Sequence, residues 1–161
     1  MIEVTDYLNV REKITRLELS QPEGIAFLPR GFEKANSVNE LVYESETPTI
    51  RSLLRQEGIP VSRLEKDKIN FKEEQSIAFI APILFITSQL ITQNPALLDV
   101  IVGVVSNYVY DVIKGTRRND KVKLEYVVET TTGQYKKLTY EGTAEGMKEI
   151  PKTIKEIHDG Q

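Results

Sequence analysis

From Ser76 to Leu98 the chain carries no charged side chain at all. A run of that kind must be covered by the protein's own structure, by another chain or by lipid. The flanks sharpen the contrast. Residues 1–75 hold 11 basic and 14 acidic side chains, residues 76–113 only Asp99 and Asp111, and residues 114–161 hold 10 basic and 8 acidic. The 161 residues therefore read as a charged segment, an apolar centre and a second charged segment, with a net charge of −3. This patterning divides the chain into an N-terminal α+β segment, 1–75, and a second unit, 76–161; the length also suits one domain over 1–161.

Local signals predict an α+β fold. Lys13 to Ser20 alternates as a half-buried strand does. Gln21-Pro22-Glu23-Gly24 has the residues of a type I turn, and Ile25-Ala26-Phe27-Leu28 returns as a second strand to complete an N-terminal β-hairpin. Ser37 and Glu40 have capping-box spacing. Thr47-Pro48 opens a short helix with Ile50, Leu53 and Leu54 on one face and Gly58 at its end. Residues 59–75 read as a linker or edge strand. In the apolar centre, Pro82 and Asn94-Pro95 predict helix starts, giving an antiparallel hairpin of helices over about 82–93 and 95–114, with Gly115 as the left-handed cap. Lys121 to Thr130 alternates with Val122, Leu124, Tyr126 and Val128 on one face. Gly133 lies in the turn, and Tyr135 to Glu141 returns with Leu138 and Tyr140 inward. Met147, Ile150, Ile154 and Ile157 space an amphipathic terminal helix that Pro151 either kinks or begins.

The apolar centre has two readings, a buried core or oligomer interface and a membrane hairpin. About ten Val, Ile and Leu side chains in the second helix favour insertion by roughly 3 to 6 kcal/mol, and Asp99 alone returns roughly 2.5 to 3.5 kcal/mol. A first helix opening at Pro82 is shorter than the ~20 residues a span requires. Asp99, Gly103, Ser106, Tyr110 and Lys114 form a polar or small stripe opposite Leu97, Ile101, Val104, Val105 and Val112. One polar stripe with three apolar sides belongs in a protein interior, its stripe at the surface or against another chain. Ile77, Phe79, Ile83, Phe85, Ile101, Val105 and Tyr108 are the side chains expected to form the assembling surface.

Chemistry-bearing residues are sparse. There is no cysteine and one histidine, which excludes thiol catalysis, zinc–thiolate sites and multi-histidine metal sites. His158, beside Asp159 near the end of the last helix, reads as a solvated histidine, since a catalytic dyad there would need a nucleophile brought to a fraying terminus. Asp67, Glu73 and Glu74 read as a solvated acidic face. No nucleophile elbow, phosphate loop, dinucleotide fingerprint, zinc-protease helix or EF-hand loop occurs, so an enzyme here would need an unrecognised all-carboxylate or Ser/Lys site. Neither a catalytic residue, a metal nor a cofactor is expected. Lys114, Arg117, Arg118, Lys121 and Lys123, with Lys136 and Lys137, form the candidate basic patch. The acidic total and the absence of an aromatic platform argue against nucleic acid as its partner. The acidic opening Met1-Ile2-Glu3-Val4-Thr5-Asp6 does not read as a signal peptide, and a cytoplasmic location is expected.

Residues 76–158, with their apolar helical segment, the basic connection Lys114-Gly115-Thr116-Arg117-Arg118, a valine-rich hairpin turning at Gly133 and a terminal helix, resemble in organisation the effector-associated constant component proteins of bacterial conflict systems. The whole chain is also similar to an uncharacterised bacterial family through Gly24-Ile25-Ala26-Phe27-Leu28-Pro29-Arg30 and Tyr140-Glu141-Gly142. The first resemblance carries no catalytic residues over. It implies an accessory, non-catalytic role in association with proteins or a membrane. The expected function is thus protein–protein interaction or assembly, through a protein partner or self-association. The alternatives are a membrane-associated effector that inserts the apolar hairpin, and an unrecognised enzyme.

Overall fold

The computed structural model describes residues 1–66, 81–114, 122–143 and 145–160, the side chain of Lys114 excepted. It is an α+β protein built on one mixed six-stranded sheet. The strands are β1 (Ile2–Asp6), β2 (Ile25–Leu28), β3 (Val61–Ser62), β4 (Ile83–Ile86), β5 (Val122–Glu129) and β6 (Tyr135–Gly142). Their spatial order is β1-β6-β5-β4-β2-β3, with β4–β5 and β2–β3 parallel and the other pairs antiparallel. Strands from both sides of residue 75 therefore share one hydrogen-bonded sheet.

Alternation along the central strands sends side chains into two cores. Ile25 and Phe27 of β2, Leu84 and Ile86 of β4, and Leu124, Tyr126 and Val128 of β5 join Leu138 and Tyr140 of β6 on one face. That face is covered by α2 (Thr47–Gln56), α3 (Ser88–Gln93), α4 (Leu97–Lys114) and α5 (Ile150–Asp159). Ala26, Leu28, Phe85 and Val127 point the opposite way, toward Val10 and Ile14 of α1 (Val10–Arg16) and toward Leu17, Leu19, Phe32, Leu41 and Leu64. Every β2 side chain is buried because both faces are covered.

The C-terminal expectations hold closely. β5 and β6 pair from Val122↔Gly142 to Glu129↔Tyr135, Gly133 takes φ +80° in the turn, and Pro151 lies at the start of α5. Glu145–Glu149 forms a 3₁₀ turn ahead of it. α2 runs from Thr47 and is followed by Gly58 at φ +77°. β3 is the edge strand of the 59–75 segment, whose remainder from residue 67 lies outside the described residues, as does Gly115.

Three elements correct the sequence reading. Lys13 to Arg16 is helical, not strand, because Asn9 caps α1 by accepting the Glu12 N–H at 3.0 Å, so no N-terminal β-hairpin forms and β2 pairs with β4 and β3 instead. Ile83–Ile86, expected as the first turn of a helix, is the strand β4. Leu84, Phe85 and Ile86 are buried and Ile83 is half-buried, and the strand, two of its four residues β-branched isoleucines, lies between parallel β5 and antiparallel β2. The helix starts only at Ser88, capped by the Thr87 hydroxyl, so the expected helical hairpin shrinks to α3 and α4 around Asn94-Pro95. The opening residues, assigned no element by their pattern, form β1 against β6, Ile2 opposite Tyr140.

Candidate functional site

The α4 stripe forms one wall of a groove. Asp99, Gly103, Ser106 and Tyr110 recur at steps of four, three and four, so they share a face along about 17 Å of helix. Glu145, Met147, Lys148 and Pro151 face them from the 3₁₀ turn and the start of α5, enclosing about 540 Å³. Glycine at 146 sets that second wall, since a Cβ there would run into the Tyr140 hydroxyl and lift the turn off the sheet. On the α4 side, a Cβ on Gly103 would meet nothing within 4 Å, so the groove floor is open at that point. Both signs of charge line the space, with Asp99 and Glu145 against Lys148. Tyr110 is 46% exposed and Val100, beside Asp99, is 37% exposed. The Ser106 hydroxyl is buried without a hydrogen-bond partner among the described residues.

A second cluster sits where β4 and β5 end. The Glu129 carboxylate accepts from Arg11 Nε (2.5 Å) and Nη2 (3.2 Å), from the Tyr135 hydroxyl (3.1 Å) and from the Ser88 backbone N–H (2.9 Å). Burial pushes this carboxyl up, but the Arg11, Ser88 and Tyr135 donors together outweigh it and hold Glu129 below the usual carboxylate range. Burial and the neighbouring carboxylate push the Tyr135 hydroxyl up to about 12. Next to it His158 is 2% exposed, with Nε2 2.8 Å from Ser88 Oγ and Nδ1 3.0 Å from Asp159 Oδ1. The Thr131 N–H donates to the His158 carbonyl at 3.0 Å. The histidine expected in solvent is therefore buried, because α5 packs its last turn against the β4–α3 junction.

Serine, histidine and aspartate in that order can in principle pass a proton from Ser88 to His158. Acyl transfer also needs N–H donors where oxyanion charge develops. Here the Ser88 N–H is taken by a carboxylate, which places negative charge beside the serine. The geometry joins α5, β5 and α3 through one satisfied polar network. Ser88 carried no signal in the sequence, since it lies 70 residues from His158 and in no recognised motif.

Of the residues expected to form the assembling surface, the five described are buried or half-buried. Phe85 and Ile101 are fully buried, Val105 is 5% exposed, Ile83 is half-buried against the second core, and Tyr108 is half-buried with its hydroxyl on Glu46. The correction has a simple cause: once 83–86 is a central strand, the apolar faces of α3 and α4 are spent on covering the sheet. Ile77, Phe79, Arg117, Arg118, Lys121 and the Lys114 side chain lie outside the described residues, as do Asp67, Glu73 and Glu74. Lys123 is exposed and 3.9 Å from both Glu125 and Glu141; Lys136 pairs with Asp6, and Lys137 lies 3.4 Å from Glu125. The described part of the basic patch is thus interleaved with carboxylates. Among the described residues no group of His, Asp and Glu is placed to hold a metal, and no helix is long and apolar enough to cross a membrane.

Fold and groove together define a mixed α+β sheet protein with an open helical face between α4 and α5. No protein-family model, curated protein or solved structure matches the chain.

Proposed function

We propose that this chain is a non-catalytic assembly module that associates with a second copy of itself through the α4–α5 groove. The observation that carries the reading is the α4 stripe. Steps of four, three and four are the spacing of a helix-pairing seam, and small residues at Gly103 and Ser106 let another helix approach closely. A two-fold interface brings the same patch from both chains together, so it must be self-complementary. A groove carrying Asp99 and Glu145 with Lys148 meets that condition, and Tyr110 supplies an aromatic anchor at its edge. The likeness of residues 76–158 to effector-associated constant components supports the same role, that of an accessory protein in a bacterial conflict system.

The test is substitution at Gly103, where an added side chain meets open space in the isolated chain. Gly103→Arg should leave the far-ultraviolet circular dichroism of the monomer intact and its melting temperature no lower, since glycine inside a helix is the costlier residue by about 1 kcal/mol. It should also reduce the mass in light scattering from an oligomer to a monomer. An oligomer of unchanged mass and affinity in that variant contradicts the proposed interface.

A further inference from the structure

The α4 stripe has the same spacing in both directions. Asp99, Gly103, Ser106 and Tyr110 are separated by four, three and four residues, so they mirror about the point midway between Val104 and Val105. A second α4 laid antiparallel across that point by a two-fold axis sets Asp99 opposite the partner's Tyr110, and Gly103 opposite the partner's Ser106. A parallel pair sets each residue opposite its own copy, Asp99 against Asp99.

The chemistry of the four positions fits the antiparallel pair. Ionised Asp99 offers only acceptors, and Tyr110 ends in a hydroxyl donor. Both are exposed, and neither has a hydrogen-bond or ion-pair partner among the described residues. Other tyrosines of this chain give their hydroxyls to carboxylates. Tyr43 donates to Glu65 at 2.6 Å, Tyr135 to Glu129 at 3.1 Å, and Tyr108, on α4 itself, to Glu46. Tyr110 lies two residues beyond Tyr108 and has no carboxylate of its own chain. Between the two ends stand the small residues. A Cβ on Gly103 would meet nothing within 4 Å, so a second helix can approach there to about 8 Å between axes.

The helix ends favour the same direction. Asp99 lies in the first turn of α4 and Tyr110 toward its C-terminal end. The antiparallel pair sets the positive end of each macrodipole beside the negative end of the other, whereas a parallel pair stacks like ends and brings two carboxylates together.

We propose that the second copy docks through an antiparallel α4–α4 crossing centred between Val104 and Val105, held by two symmetric hydrogen bonds from Tyr110 of one copy to Asp99 of the other. This rests on the self-association through the groove proposed above, and adds the element that enters it, its direction and the residues that set its register. The two bonds lie about 17 Å apart along the helix, with Gly103 and Ser106 packed between them.

The chain has no cysteine, so single introduced thiols report the direction. Asp99→Cys and Tyr110→Cys chains, one isotopically labelled so that mass tells them apart, would be mixed and treated with a short bismaleimide. Both sites are exposed, so both variants should fold. The antiparallel crossing predicts cross-linked pairs of one chain of each kind, because like sites then lie about 17 Å apart. In sedimentation equilibrium, Tyr110→Phe and Asp99→Ala should each raise the dimer dissociation constant at least about tenfold, since each removes two hydrogen bonds to a charged group. The double variant should be no weaker than the weaker single one, as residues in one contact are not additive. A wild type that stays monomeric, or an oligomer indifferent to Gly103→Arg, sinks the groove as an interface and this register with it. An oligomer that Gly103→Arg disperses, but that cross-links like chains or keeps its affinity in both single variants, leaves the interface standing and overturns the antiparallel register alone.

Discussion

Tyr126→Phe should stabilise this protein, although it removes a polar atom and adds nothing. The Tyr126 ring lies at the centre of the larger core, 1% exposed, among Phe27, Ile50, Leu84, Val105 and Leu124. Its hydroxyl has no hydrogen-bond partner among the described residues, and the small void beside it leaves no volume for a water-sized sphere. Burial alone pushes the hydroxyl far above the usual tyrosine range, so it remains a neutral donor without an acceptor. An unpaired buried hydroxyl costs about 1 to 3 kcal/mol relative to its hydrated state in the unfolded chain. The oxygen's lost dispersion contacts return a fraction of a kcal/mol. The net expectation is a gain of about 1 to 2 kcal/mol. For a chain of this length that is a rise of about 2 to 6 °C in melting temperature. Urea unfolding should show a higher midpoint with the same slope, since neither state changes in exposed area. A loss of 1 kcal/mol or more would mean that the hydroxyl has an acceptor and that the packing around the β4–β5 pair is misread.

Two other predictions concern the cluster at the end of β5. Glu129 is held below the ordinary carboxylate range, so its contribution is fully present above about pH 4.3 and is lost as pH falls through the lower folded value. Glu129→Gln should therefore be less stable at neutral pH and should flatten the fall in melting temperature between pH 6 and 3; parallel profiles would refute the linkage. Ser88 should not react with a fluorophosphonate probe at millimolar concentration, because its N–H is committed to Glu129 and its base is buried. Stoichiometric labelling, abolished by Ser88→Ala, would make the serine a nucleophile and the non-catalytic reading wrong.

The elements legible in the sequence were those whose signals agree at every level. In β5 and β6 the alternation of Val122, Leu124, Tyr126 and Val128, the turn glycine and the following Leu138 and Tyr140 all pointed one way, and the register follows them. The α4 stripe was legible for the same reason: its small and polar residues recur with the helical period and line a groove. Ile83–Ile86 was not legible, because a short apolar run has no period to separate a buried strand from a helical turn, and Pro82 precedes either one. Lys13 to Ser20 misled by a chance alternation, while the deciding contact was the Asn9 cap four residues earlier. The Ser88–His158 contact spans 70 residues and leaves no mark in local spacing.

The most direct test of the central claim is the mass of the untagged wild-type protein by sedimentation velocity over a hundredfold range of concentration, without detergent. Self-association through α4 predicts a discrete oligomer in reversible equilibrium with the 161-residue monomer, shifted fully to monomer by Gly103→Arg. A wild type that sediments as monomer throughout, including at the highest concentration, would contradict self-association through α4.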